Sequence, residues 1–214
     1  MNIYILSDKK IDGIKNLPMI QIEFIDTIID YSTYDSLIIT SKNAVYSINN
    51  QSNEWKNKPI YAISKQTADT IKELGGELEF VGLDGHGDNF ANEIKDRLKD
   101  KRCLYIRGAK VVSNLVDILK DNNIKCDEKI VYKTKCINYT KKPPLEKNSI
   151  IIFSSPSTIK CFFKNYDWCD SYQAVCIGNT TAKYLPDFIK VNISKNTSIK
   201  SCVDTAYMLL SNSL

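Results

Sequence analysis

The sequence predicts an α/β protein built from two similar parallel-sheet units with helices on both faces, one unit inserted in the other. Three observations carry this. Short apolar runs alternate with helix-like segments along the chain, the order that gives a parallel sheet covered on both sides. Two strand-end motifs are repeated at one offset: Ile39-Thr40-Ser41-Lys42-Asn43-Ala44-Val45 is echoed by Phe153-Ser154-Ser155-Pro156-Ser157-Thr158-Ile159, and Ala62-Ile63-Ser64-Lys65-Gln66-Thr67-Ala68 by Cys176-Ile177-Gly178-Asn179-Thr180-Thr181-Ala182, each 114 residues on. A second echo aligns residues 2–10 with residues 102–110, so the N-terminal run corresponds to the end of the middle unit rather than to its beginning.

Ile3-Tyr4-Ile5-Leu6 suits a buried parallel strand. The alternation Ile20, Ile22, Phe24 predicts the second strand of the same unit, and Gly13 with Pro18 leaves room between them for a short or degenerate helix at most. After a linker over 26–34, strands are expected at 36–40, 60–63, 77–81, 103–106 and 124–132, alternating with helices at 43–49, 66–74, 89–99 and 111–122. Lys141-Lys142-Pro143-Pro144 reads as a surface connection. Strands at 150–153, 173–177 and 189–193 then alternate with helices at 157–164, 180–185 and 198–210. Three strands alone make a thin sheet, and adding the two N-terminal strands brings the outer unit to five. The expected division is an outer domain of residues 1–27 and 137–214, an inserted domain of residues 35–130, and linkers at 28–34 and 131–136. Two chain crossings form a double-stranded hinge, with a cleft whose width can change.

Composition narrows the function. The 214 residues are 43% hydrophobic and 25% charged, ordinary values for a globular protein. No apolar run approaches the roughly 18–20 residues that cross a bilayer, and the opening Met1-Asn2-Ile3-Tyr4 reads as a strand rather than a leader, so the expected location is the cytoplasm. Seven cysteines without a C-x-x-C pair, and His86 as the single histidine, predict reduced, mostly buried thiols and no structural zinc. A net charge of +4, from 29 Lys and Arg against 25 Asp and Glu, is too small to indicate a nucleic-acid binder. It does suit an anionic small molecule.

Ligands of open parallel sheets sit beyond the carboxyl ends of the strands. Thr40 and Ser41 stand at one such end, and Ser154 and Ser155 at its echo. Each junction offers hydroxyls, unpaired helix amides and a positive dipole end, which suit a carboxylate or phosphate, although Ser and Thr are also the ordinary N-capping residues. Gly178, Asn179, Thr180 and Thr181 form a tighter turn that admits a ligand close to the backbone, while the first copy has Ser64 in place of Gly178. Arg107, with Lys110 nearby, follows another strand and offers a guanidinium suited to carboxylates. Tyr132 lies at the second crossing, where a phenol can project into the cleft and donate a hydrogen bond or proton. There is no G-x-G-x-x-G, no P-loop, no H-E-x-x-H and no G-x-S-x-G, and 82–87 reads as a flexible βα connection.

At these residues the chain resembles the uroporphyrinogen-III synthase family. Ser154-Ser155-Pro156-Ser157, Ile177 to Ala182 and Val131-Tyr132-Lys133-Thr134 look like that family's strand-end, I-G-x-T-T-A and V-Y-x-T motifs, in its order. Arg107-Gly108 resembles its R-G junction. The resemblance spans essentially the whole chain and implies two flavodoxin-like domains joined by a two-stranded hinge. It implies a cofactor-independent, metal-free lyase that closes the linear tetrapyrrole hydroxymethylbilane to uroporphyrinogen III, inverting ring D and losing water. By resemblance Tyr132 assists departure of the hydroxyl. Thr40, Ser41, Ser64, Arg107, Ser154, Ser155, Gly178, Asn179, Thr180 and Thr181 bind substrate. The implied protein is a cytoplasmic monomer in transient contact with the preceding pathway enzyme, binding neither nucleic acid nor membrane. Lys42, Ser64 and Ser7-Asp8-Lys9 depart from the family pattern, with Lys9 a substitute for an arginine common there. Two readings stay open beside it: a non-catalytic two-domain binding protein for an anionic small metabolite, and a catalytically silent homologue.

Overall fold

The computed structural model describes residues 2–7 and 10–211. In chain order its elements are β1 (Ile3–Ile5), β2 (Lys15–Asn16), β3 (Ile20–Phe24), β4 (Ser36–Ile39), α1 (Lys42–Asn49), β5 (Ile60–Ala62), α2 (Lys65–Glu73), β6 (Leu78–Val81), α3 (Gly87–Ile94), β7 (Arg102–Gly108), α4 (Leu115–Asp121), β8 (Lys125–Cys136), β9 (Ile150–Phe153), α5 (Pro156–Phe162), β10 (Gln173–Cys176), α6 (Asn179–Ala182), β11 (Val191–Ile193) and α7 (Ile199–Ser211). Asp8 and Lys9 lie outside the described residues. Contacts group the chain into two compact units, residues 1–21 with 135–214, and residues 22–134. Each is a parallel α/β unit of the flavodoxin-like kind.

The first unit holds a five-stranded sheet in the order β11-β10-β9-β1-β2, parallel throughout. Its central strand β9 is fully buried because both faces are covered. Tyr4, Ile151, Phe153, Ala174 and Cys176 pack on one face, and Ile3, Ile5, Ile150, Ile152 and Val175 on the other. Phe162 of α5 lies at the centre of an aromatic cluster, edge-on to Phe153 at 5.6 Å and stacked on Tyr166 at 5.4 Å.

The second unit contributes most of a six-stranded sheet, β3-β8-β7-β4-β5-β6. Leu37, Ile39, Leu104 and Ile106 face one helix layer, while Ile38, Cys103 and Tyr105 face the other. The echo seen in the sequence is reproduced in the ladders. Ile39 pairs with Ala62 as Phe153 pairs with Cys176, and Ile38 pairs with Tyr105 as Ile152 pairs with Ile5. Equivalent residues therefore end equivalent strands in both units.

Two expectations are corrected. The run 20–24, read as the outer unit's second strand, instead lies beside β8 at the edge of the six-stranded sheet, and the two-residue β2 takes its place in the five-stranded one. No residue of the run 20–24 is fully buried, which fits an edge strand, whereas Lys15–Asn16 carries no apolar pattern to read. The thiols are not all reduced: Cys136 is bonded to Cys161, with Cα atoms 5.1 Å apart. β8 continues to Cys136 and so meets the buried side of α5, where Cys161 lies.

Five cysteines remain free, of which Cys103, Cys126, Cys176 and Cys202 are buried. Burial pushes the Cys126 and Cys176 thiols up to about 12, so both stay protonated. Cys169 is half-buried, with its sulfur 3.2 Å from the Ser171 hydroxyl, and this hydrogen bond holds its thiol below the usual range. Among the described residues no helix is long and apolar enough to cross a membrane.

Phe162→Ala removes a fully buried ring and should lower unfolding free energy by about 3–5 kcal/mol in urea titration. A disulfide-exchange thiol reagent should label Cys169 rapidly in the native protein and the four buried thiols only after denaturation. Cys169→Ser should abolish the fast phase, and a persisting fast phase would contradict the burial of the others.

Candidate functional site

At the carboxyl ends of β4, β5 and β7 the second unit has a pocket of about 240 Å³. Thr40, Ser41, Tyr105, Gly108, Lys110 and Tyr132 contribute to its wall, with Ile63 and the glycine-bearing segment 85–87 on another side. This is the edge at which a parallel sheet passes its chain to helices, and so the edge where unpaired helix amides collect. Ser41 caps α1 with its Oγ accepting from the Asn43 amide at 3.2 Å. Ser64 caps α2 in the same way, towards the Thr67 amide at 3.5 Å, one strand further along. Ser64 is not in the pocket wall, although its Cβ lies near Gly85.

Two phenols meet in this pocket. Tyr105 is buried within β7, and its hydroxyl lies 2.9 Å from the Thr40 hydroxyl. Burial pushes the Tyr105 phenol up, and the Thr40 hydrogen bond only partly offsets that, so it remains neutral. Tyr132, on β8, is half-buried, and its hydroxyl has no hydrogen-bond partner among the described residues. It is therefore free to serve a ligand.

Arg107 is committed elsewhere. Its Nε donates to Glu128 Oε2 at 2.5 Å and its Nη1 to the Gly108 carbonyl at 3.0 Å, with the side chain largely buried. Lys110, exposed at the pocket mouth, is the cation in the wall. Tyr105 was missed by reading the sequence, because a tyrosine in an apolar run reads as core. A signal was available in the repeat: the position equivalent to Tyr105 is Ile5, so a phenol stands within one strand where its counterpart carries a purely apolar side chain.

The first unit carries its own junctions on the neighbouring strands β9 and β10, joined where the Ile177 amide donates to the Phe153 carbonyl at 3.1 Å. Ser154 is half-buried, and Ser155 forms a capping box with Thr158 at the start of α5, with Pro156 at the first turn. Gly178 precedes α6 in extended backbone, and a Cβ there would stand 3.1 Å from Thr197 Cγ2. Asn179 and Thr180 are exposed, whereas Thr181 is 4% exposed and faces inward. Thus the structure gathers Thr40, Ser41 and Tyr132 in one pocket, sets Ser64 and Arg107 beside it, and places Ser154, Ser155 and residues 178–181 at the matching edge of the other unit. Among the described residues no group of three or more His, Cys, Asp or Glu is arranged to hold a metal ion.

Comparison with known proteins identifies the relatives. A sequence model of uroporphyrinogen-III synthase HemD matches residues 15–204. The porphyrin biosynthesis protein HemD of Ruminiclostridium josui is 28% identical over 188 residues, 80% of this chain, and the match spans 37% of that longer protein. A putative uroporphyrinogen-III synthase of Methanocaldococcus jannaschii is 29% identical over 182 residues, covering 76% of this chain and 74% of its own. Among solved structures, the uroporphyrinogen-III synthetase of Helicobacter pylori superposes with a TM-score of 0.84 at 30% identity, covering 97% of this chain and 99% of that one. A mutant uroporphyrinogen III synthase from Thermus thermophilus shares the fold, with a TM-score of 0.55 at 12% identity over 99% of each chain.

Proposed function

The chain belongs to the uroporphyrinogen-III synthase family, and from that premise we propose that it closes hydroxymethylbilane to uroporphyrinogen III, inverting ring D and releasing water. The observation that carries the proposal is the pocket at the end of β4 and β7. There the unpaired hydroxyl of Tyr132 faces a wall of hydroxyls and helix amides.

The substrate has eight carboxylates and much of its own reactivity, since it can cyclise unaided to the wrong isomer. The protein's task is to hold the tetrapyrrole so that ring D attacks through its substituted carbon, and to help the hydroxyl depart. Hydroxyls and unpaired amides at helix starts suit the first task, because they bind carboxylates without long flexible side chains to order. Tyr132 suits the second. Its O–H donates to the departing hydroxyl as the carbon–oxygen bond breaks, so water leaves and an azafulvene cation forms. Ring D then attacks through its substituted carbon to give the spiro-pyrrolenine. The original bond from that carbon to the bridge of the neighbouring ring breaks, leaving a second azafulvene cation, and the bridge re-bonds at the free α-carbon of ring D, whose lost proton balances the one donated.

In this reading Thr40, Ser41 and Ser64 contact substrate carboxylates from the second unit, with Arg107 contributing while shared with Glu128. Ser154, Ser155, Gly178, Asn179 and Thr180 do so from the first, and Thr181 supports that turn from its buried position. The protein works as a cytoplasmic monomer without cofactor, receiving hydroxymethylbilane from the preceding enzyme of the pathway.

Incubation with freshly prepared hydroxymethylbilane, followed by separation of type I from type III uroporphyrinogen, tests the function. The expected product is type III. An entirely type I outcome with folded protein would reject the proposal and leave a binding role for an anionic metabolite. Tyr132→Phe keeps the ring and removes the hydroxyl, so it should preserve the melting temperature and lower the kcat for type III by about tenfold, at the weak end of general acid catalysis. An unchanged kcat would remove Tyr132 from the proton transfer.

A further inference from the structure

Gly108 ends β7 in ordinary backbone, outside the left-handed region that favours glycine. Its missing side chain is explained by Tyr132. A Cβ on Gly108 would stand 2.6 Å from Tyr132 Cζ and 2.9 Å from both Cε2 and Oη. These atoms form the far end of the phenol, so the space that glycine leaves is occupied by the hydroxyl end of the ring.

The strand ladder adds an independent observation. Arg107 pairs with Ile130 but Gly108 with Tyr132, which makes Val131 an extra residue in β8. Such a bulge bends the strand and re-aims the side chain beside it. This one is firmly held: the Val131 carbonyl accepts from the Ile25 amide at 2.8 Å and from the buried Ser47 hydroxyl at 2.6 Å. The ladder resumes immediately afterwards, the Ala109 amide donating to the Tyr132 carbonyl at 2.8 Å.

We propose that Gly108 is a positioning residue for Tyr132: the bulge at Val131 aims the phenol, and the absent Cβ of Gly108 seats it with the hydroxyl at the pocket. The catalytic consequence rests on the reading of Tyr132 as proton donor, whereas the seat itself does not. An alanine at 108 displaces the ring end while leaving the backbone unstrained. Because misplacing a reacting group by ~1 Å can cost ~10²-fold, the loss belongs in kcat rather than in KM.

The test is a double-mutant cycle of Gly108→Ala with Tyr132→Phe. Gly108→Ala should lower the kcat for type III by about three- to tenfold, no more than loss of the Tyr132 hydroxyl itself costs, with KM within about twofold. In the Tyr132→Phe background the same change should cost less than about twofold, since no hydroxyl remains to misplace. Equal losses in both backgrounds, or no loss in either, would overturn the catalytic role. The seat is read without turnover by labelling tyrosine at Cζ with carbon-13 and assigning Tyr132 by its missing resonance in Tyr132→Phe. A shifted Tyr132 resonance in Gly108→Ala supports the seat even where Tyr132→Phe retains full kcat, and an unmoved one overturns it. Should Gly108→Ala fail to fold, Ser47→Ala removes one donor from the bulge carbonyl. It should lower kcat about two- to fivefold in the Tyr132 background alone, and a background-independent loss would count against the proposal.

Discussion

The first amides of a helix have no partner within it, and in a sheet buried on both faces every strand hands over to its helix at the same edge. That constraint organises this chain. Because β4, β5 and β7 run parallel and in register, their ends bring Ser41, Ser64 and the segment after Gly108 to one edge. Because β9 and β10 do the same, Ser155 and Gly178 are neighbours at the edge of the other sheet. Neither arrangement requires a fixed charge. The polar groups that collect at each edge are those that the helices leave unpaired, together with the side chains that cap them.

Identical registers in the two units show where the copies have diverged. Ile38 pairs with Tyr105 in one unit and Ile152 with Ile5 in the other, so the Tyr105 hydroxyl is an addition to a position that is otherwise core. Thr40 makes that addition tolerable, since a buried phenol without a partner costs roughly 1–3 kcal/mol and this one is bonded at 2.9 Å. The bulge at Val131 belongs to β8 of the second unit and brings Tyr132 against Gly108. The pocket with two phenols thus arises where a regular repeat is interrupted, while in the other unit Ser155 caps one helix and Gly178 opens the next without a side-chain cap.

Much of this was legible in the sequence, for a physical reason. Burial on both faces writes parallel strands as short apolar runs, and helix starts select Ser, Thr and Asn, so 36–40, 60–63, 150–153 and their following helices stand out. What could not be read depended on partners distant in sequence. Lys15–Asn16 forms a strand only because β1 pairs with it. The run 20–24 alternates as an edge strand would, but alternation does not say which sheet it joins. Arg107 reads as a free guanidinium until Glu128 is brought beside it, 21 residues away. The bond between Cys136 and Cys161 likewise depends on where β8 ends relative to α5.

The fate of Arg107 bears on the chemistry proposed for the pocket. Under that reaction a cation develops on the substrate as the hydroxyl leaves, while the carboxylates to be bound are negative. An uncompensated guanidinium about 4 Å from the developing charge would oppose it by about 4 kcal/mol at an effective dielectric near 20. A helix N-terminus contributes only about 0.3–2 kcal/mol to an anion and so carries far less penalty for a neighbouring cation. Glu128 neutralises Arg107 locally, and the phenol of Tyr105 stays protonated. Amides, hydroxyls and a compensated arginine can therefore hold a carboxylate-rich tetrapyrrole, leaving the solvent-exposed Lys110 at the mouth as the cation of the wall. On this argument it is the weakness of each individual contact that lets the same wall serve both binding and ionisation.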